Sequence, residues 1–211
     1  MGKLQFSLVI VLLMLLAGCR SERAGWATPA PEEYLTALEA YEQIRPAMLA
    51  WHEDAVAINM DSLPDEDPKQ RIQSDGRARV WVFTVISLEA LKGTHIYWRS
   101  GEVTVGSDGI AGNEGPIEPK SRAQLFTIEN VLIDSDEAVY IALQDGSVRS
   151  DYMLIQVHIS QFNNRNYASI PPSWEMTYIP RDSGIHDVLA QKMVYIDVVT
   201  GEVLWSDFAG P

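Results

Sequence analysis

Cysteine is almost missing from this chain: Cys19 is its only one in 211 residues. No disulfide can close within it, and no cysteine cluster can hold a metal. Histidine is scarce as well, and His52, His95, His158 and His186 include no pair at i, i+4 and no His-x-His. Local metal-ligand spacing is therefore lacking. There is no Gly-x-Ser-x-Gly elbow, no Ser-x-x-Lys, no glycine-rich phosphate loop and no dinucleotide fingerprint. Acyl transfer and nucleotide binding thus have no local signature, and no catalytic residue, cofactor or metal ligand is assigned. Positive charge is also short, with 16 Lys and Arg against 29 Asp and Glu. Such an acidic body is repelled by phosphate backbones and anionic surfaces, so no nucleic-acid partner is expected.

What the chain does have begins at its N-terminus. After Lys3, residues Leu4 to Leu16 form a nearly unbroken apolar run. The run has the length of a signal-peptide h-region and is too short to span a bilayer comfortably. It ends in Leu16-Ala17-Gly18-Cys19, which resembles the lipobox of bacterial lipoproteins. That resemblance implies a signal peptide over 1–18, acylation (palmitate) of the thiol, and cleavage that leaves Cys19 first. Membrane attachment then rests on the acyl chains of Cys19 and not on a basic patch. With Lys3 removed, fifteen basic residues face twenty-nine acidic ones, a charge of −14, and 193 residues remain. This length suffices for one substantial core or two small ones. Residues 19–30, with their small, polar and proline-rich composition, read as a tether in the cell envelope, with the leaflet open.

Beyond the tether, Glu32 and Glu33 suit a helix start, and Leu35, Leu38, Tyr41 and Ile44 recur at spacings of three. This predicts a helix from Pro31 to Trp51, kinked at Pro46. A second helix is predicted after Asp134 as N-cap, with Glu137 at N3 and Gly146 ending it. In "AVAINMDS", 55–62, Val56, Ile58 and Met60 alternate with Ala57, Asn59 and Asp61; in "MLIQVHIS", 153–160, Met153, Ile155, Val157 and Ile159 share a face. Both read as strands. "RVWVFTVIS" has two apolar faces and reads as a central strand, with Trp81 standing where Trp174 does in "SWEMTYIP".

These features recur. Ser100-Gly101-Glu102-Val103 returns as Thr200-Gly201-Glu202-Val203, and the strand and tryptophan offsets lie at 98 and 93. The expected fold is α+β, as two repeated units over 31–106 and 124–211, each a helix packed on a small antiparallel sheet. The glycine, proline and charge of 107–123 mark a connector.

The second unit resembles a PepSY domain, a PepSY/cystatin-like architecture. The residues that carry the resemblance are "IDSDEAVYIALQDG", "SWEMTYI" and "MVYIDVVTGEVLW", whose Asp197 with Thr200, Gly201 and Glu202 matches an Asp-x-x-Thr-Gly-Glu ending. The first unit is degenerate, with Tyr97 and Ser100 in place of Asp197 and Thr200. The resemblance implies an extracytoplasmic module that binds or restrains partners such as peptidases, without catalytic residues.

The turns themselves have a sufficient structural explanation, since glycine supplies positive φ and Ser or Thr bonds locally. The acidic stretch 60–68, with Asp61, Asp65, Glu66 and Asp67, lacks the ligand spacing and glycine of an EF-hand loop. Trp98 and Trp205 flank the glycine turns and are the candidate partner-binding residues, with packing as the competing explanation. The chain is thus expected to be a non-enzymatic, lipid-anchored binding or regulatory protein that presents a sheet face or edge to a protein, peptide or envelope polymer. The alternatives are an envelope hydrolase whose acidic and histidine residues converge only in the fold, and a structural scaffold lipoprotein.

Overall fold

Helix α1 (Ala37–Trp51) begins later than its apolar spacing suggests, because Thr36 supplies a capping box. The Thr36 hydroxyl accepts from the Glu39 N–H at 3.2 Å, and the Glu39 carboxylate accepts from the Thr36 N–H at 3.0 Å. Those two bonds satisfy donors at the helix start. Leu35 instead pairs with Ala78 in an isolated antiparallel bridge. The helix then runs through Pro46 as one element. The computed structural model describes residues 33–63, 74–106, 115–116, 126–146, 148–160, 171–183 and 188–208.

Four strands follow α1: β1 (Ala55–Ser62), β2 (Val80–Ser87), β3 (Lys92–Arg99) and β4 (Glu102–Val105). A two-residue strand β5 (Gly115–Pro116) lies in the stretch expected to be only a connector and pairs with β3. After α2 (Ser135–Gln144) come β6 (Tyr152–Ser160), β7 (Ser173–Pro180), β8 (Lys192–Asp197) and β9 (Val203–Ser206). All pairings are antiparallel, and the order is β4-β3-β2-β1-β6-β7-β8-β9.

This order overturns the expectation of two repeated units, each with a helix on its own small sheet. β1 joins β6, so the strands make one nine-stranded sheet, and side chains from both helices enter one core. Tyr41, Ile44 and Met48 of α1 and Ala138, Val139 and Ala142 of α2 share it with Trp81, Phe83, Trp98, Trp174, Met176 and Ile196. The physical reason is that a short strand group leaves a hydrogen-bonding edge open, and joining the two edges satisfies both. The described residues from Glu33 onward form one unit.

The helices also meet end to end. Asp134 caps α2 through the Ser135 N–H at 2.6 Å and, with its same oxygen, accepts from the Leu38 N–H of α1 at 3.0 Å. Ser135 Oγ accepts from the Ala37 N–H at 3.0 Å. Gly76, at φ +88°, lies so close that a Cβ there would stand 2.6 Å from the Ser135 carbonyl oxygen. Arg77 bridges the two first turns, 3.0 Å from Glu39 and 3.8 Å from Asp136.

Two bulges reset which side chains face the core. In β1 the register shifts between Ala57 and Asn59, so Ala55, Ala57 and Met60 lie toward the helices while Asn59 and Asp61 lie away. Simple alternation places Met60 with Val56 and Ile58, and the bulge moves it to the opposite face. In β6 the shift between Leu154 and Gln156 puts Leu154, Val157 and Ile159 in the core and leaves Met153 and Ile155 out of it. One extra residue reverses every later side chain.

Candidate functional site

Antiparallel register carries one row across the face turned away from the helices. It runs Tyr97, Val82, Asp61, His158, Glu175, Tyr195, Trp205, each opposite the next. Their neighbours in sequence, such as Trp81, Val157, Trp174 and Val194, point into the core, so alternation sends this row to the other side. At its centre, His158 Nε2 stands 3.5 Å from Glu175 Oε2, and Gln156 Nε2 donates to Asp61 Oδ1 at 2.9 Å.

The electrostatics of the cluster follow from burial opposed by charge. Burial raises the pKa of Asp61 above the ordinary carboxylate value, outweighing the Gln156 hydrogen bond and the His158 charge, which lower it. For His158, burial pulls the pKa down, but contact with Glu175 and the charges of Glu175 and Asp61 prevail and hold it above its ordinary value. Glu175 is pushed up by burial, yet contact with His158, its charge and the Tyr195 hydroxyl hold it below. The imidazolium–carboxylate form is favoured on both sides of the contact.

This is the one arrangement among the described residues that gathers a histidine with carboxylates, and its chemistry is limited. One ring nitrogen of His158 is turned to Glu175, and the other, Nδ1, is buried without a hydrogen-bond partner. Neither is presented to a substrate. Among the described residues, no group of three or more His, Cys, Asp or Glu is placed to hold a metal ion. His52 stacks edge-on against Trp51 at 4.5 Å, and His95 has a buried, unpartnered Nδ1. His186, Asp65, Glu66 and Asp67 lie outside the described residues, as does Cys19.

The two candidate tryptophans have different fates. Trp98 is 1 % exposed, opposite Trp81 on the core side, and offers no surface to a partner. Trp205 is 45 % exposed on β9, which ends the sheet order. Its ring meets Tyr195 edge-on at 5.5 Å, which fixes the indole at the sheet margin. Position beside a glycine turn is common to both, but only register separates a core side chain from a marginal one.

The two glycine turns differ as well. Ser100 (φ +45°) and Gly101 (φ +91°) form a two-residue reversal between paired Arg99 and Glu102. Two successive positive φ values match the twist of the flanking strands. The second turn is wider: Asp197 Oδ1 accepts from Val199 N at 2.8 Å and Thr200 N at 2.7 Å, and the Asp197 N–H donates to the Glu202 carbonyl at 2.9 Å. Within it, the Val198 carbonyl accepts from Leu132 N and Ile133 N, both at 2.9 Å, docking the turn beside the start of α2. Asp197 in the Asp-x-x-Thr-Gly-Glu ending thus holds a loop together.

No helix among the described residues is long and apolar enough to cross a membrane. No family model matches the chain, and no curated protein does. Among solved structures it is similar to a "putative lipoprotein" of Clostridium difficile 630, with a TM-score of 0.51 and 9 % sequence identity over 80 % of this chain and 91 % of that one. At that identity the likeness is one of fold: the chain shares its architecture with a protein described as a lipoprotein.

Proposed function

We propose that this chain is a lipid-anchored, extracytoplasmic binding or regulatory protein that engages its partner at the β9 margin of the sheet. The observation that carries the reading is Trp205, a large aromatic side chain 45 % exposed on the terminal strand of the sheet order. An extended segment added to such an edge gains main-chain hydrogen bonds, and the aromatic ring supplies an anchor. The lipobox-like Leu16-Ala17-Gly18-Cys19 supports attachment through Cys19, and the −14 charge of the remaining chain argues against nucleic acid as a partner. The Asp-x-x-Thr-Gly-Glu resemblance supports a restrained peptidase among protein, peptide and envelope-polymer partners. Among the described residues a hydrolase reading rests on His158 as the base, and the engagement of Nε2 with Glu175 and the burial of Nδ1 argue against that role.

The test is photo-crosslinking in native membranes from a reactive residue placed at Trp205, with a second placed at Leu49 on α1 as control. A discrete adduct from position 205 alone supports the reading. The same adducts from both positions, or none together with hydrolytic activity of the purified chain, would overturn it.

A further inference from the structure

The junction between β1 and β6 joins the two strand groups of the sheet. Among the described residues, the pairing of β1 with β6 is that of Asp61 with His158. Side chains reinforce the seam beside that pairing. Ser62 Oγ accepts from the Val157 N–H at 2.8 Å, and Gln156 reaches Asp61 at 2.9 Å. The residues that make this described pairing are also ionisable, with Glu175 on the far side of His158.

We propose that this seam is a proton-operated clasp, closed while His158 carries its charge and loosened when that charge is lost. With the imidazolium present, one cation lies between Asp61 on β1 and Glu175 on β7. Without its proton, the same space holds a neutral ring between two carboxylates that are largely removed from water, and nothing in the row compensates them. The row contains no Lys or Arg. Its other titratable members are Tyr195 on β8, beside Glu175, and Tyr97 on β3, which Val82 separates from Asp61; His95 on β3 lies in the next row, beyond Thr84. His158 is therefore the only cation facing either carboxylate within the row. The direction of the His158 shift agrees, since both carboxylates hold its proton more tightly than water does. Its buried Nδ1 has no acceptor, which keeps the charged state from being locked in place.

The experiment is site-resolved amide hydrogen exchange on the intact chain from about pH 5 to about pH 9, alongside a proton NMR titration of His158. After correction for intrinsic exchange, protection of the amides around Asp61 and His158 should fall by about tenfold as His158 titrates, while α1 and the β2–β3 hairpin hold theirs. In His158→Gln that transition should vanish. In Glu175→Gln it should move to lower pH together with the His158 titration, which keeps the test decisive if His158→Gln does not fold. Seam protection that ignores the His158 titration, or a transition unmoved in Glu175→Gln, would overturn the clasp.

Discussion

The indole Nε1 of Trp81 donates to the carbonyl oxygen of Leu35 at 3.0 Å, tying the centre of the sheet to the residue just before the α1 cap. Trp174 makes the corresponding bond to Ile133, just before the α2 cap, at 2.7 Å. Each bond ties the sheet to a carbonyl that precedes a helix, and the Leu35 carbonyl also accepts from the Ala78 N–H at 2.9 Å. Trp81→Phe removes the donor and some ring volume, so it should cost about 2 kcal/mol or more of unfolding free energy in urea titration. Trp174→Phe should cost a similar amount. Stability unchanged in both variants would mean that the bonds do not anchor the helices.

The close approach of Gly76 to the start of α2 gives a second expectation. Gly76→Ala meets both an unfavourable φ of +88° and a Cβ position 2.6 Å from the Ser135 carbonyl oxygen. Gly146→Ala meets a φ of +72° with nothing within 4 Å. The second should cost about 1 kcal/mol from backbone conformation alone, and the first at least about 1 kcal/mol more because the segment that carries position 76 and the start of α2 must move apart. Thermal unfolding of the two variants side by side isolates the steric part, and equal losses would deny the contact its role.

Local chemistry was legible in the sequence to the extent that local bonds decide it. Asp134 as an N-cap and the strand over 55–62 follow from residue types within a few positions, and both form. The Thr36-x-x-Glu39 box was equally readable, but Glu32 and Glu33 offered a competing start that nearby apolar residues favoured. Period-two alternation cannot register a bulge, so it assigns Met60 and Met153 to the wrong faces once one residue drops out of register in each strand. The pairing of Asp61 with His158 joins positions far apart in the chain, and no repeat pattern specifies whether two strand groups stay separate or fuse. The Asp61–His158–Glu175 row was hidden for the same reason: its members come from three strands and meet only through register. Trp98 and Trp205 looked alike because each flanks a glycine turn, although one strand lies inside the sheet and the other ends it.

Stability should depend on pH in a way set by His158 and Glu175. The folded-state pKa of His158 is raised, so its contribution is fully present below the unfolded value of 6.5 and is lost as pH rises through the folded value. Glu175 is depressed, so its contribution is present above its unfolded value of 4.5 and is lost as pH falls through the folded one. Asp61, which is raised, works against the fold once it ionises. Urea midpoints should therefore be highest in the mildly acidic range between those two losses. His158→Gln should flatten the alkaline limb, and an unaltered limb in that variant would assign the pH dependence to other groups.

Trp205 offers the clearest separation of binding from folding. Its ring is nearly half exposed and its described aromatic contact is the edge-on meeting with Tyr195, so Trp205→Ala should cost only about 1 kcal/mol of stability. A partner anchored on the same ring should lose at least about tenfold in affinity, because an aromatic anchor at a margin concentrates binding energy. Trp98→Ala should do the reverse: the buried ring leaves a large cavity in the core, unfolding becomes easier by about 3 kcal/mol or more, and any chain that remains folded keeps its partner contact. Parallel measurement of urea midpoints and of crosslinked adduct in the two variants decides the matter. If Trp205→Ala retains full adduct yield while remaining folded, the β9 margin is not the binding surface.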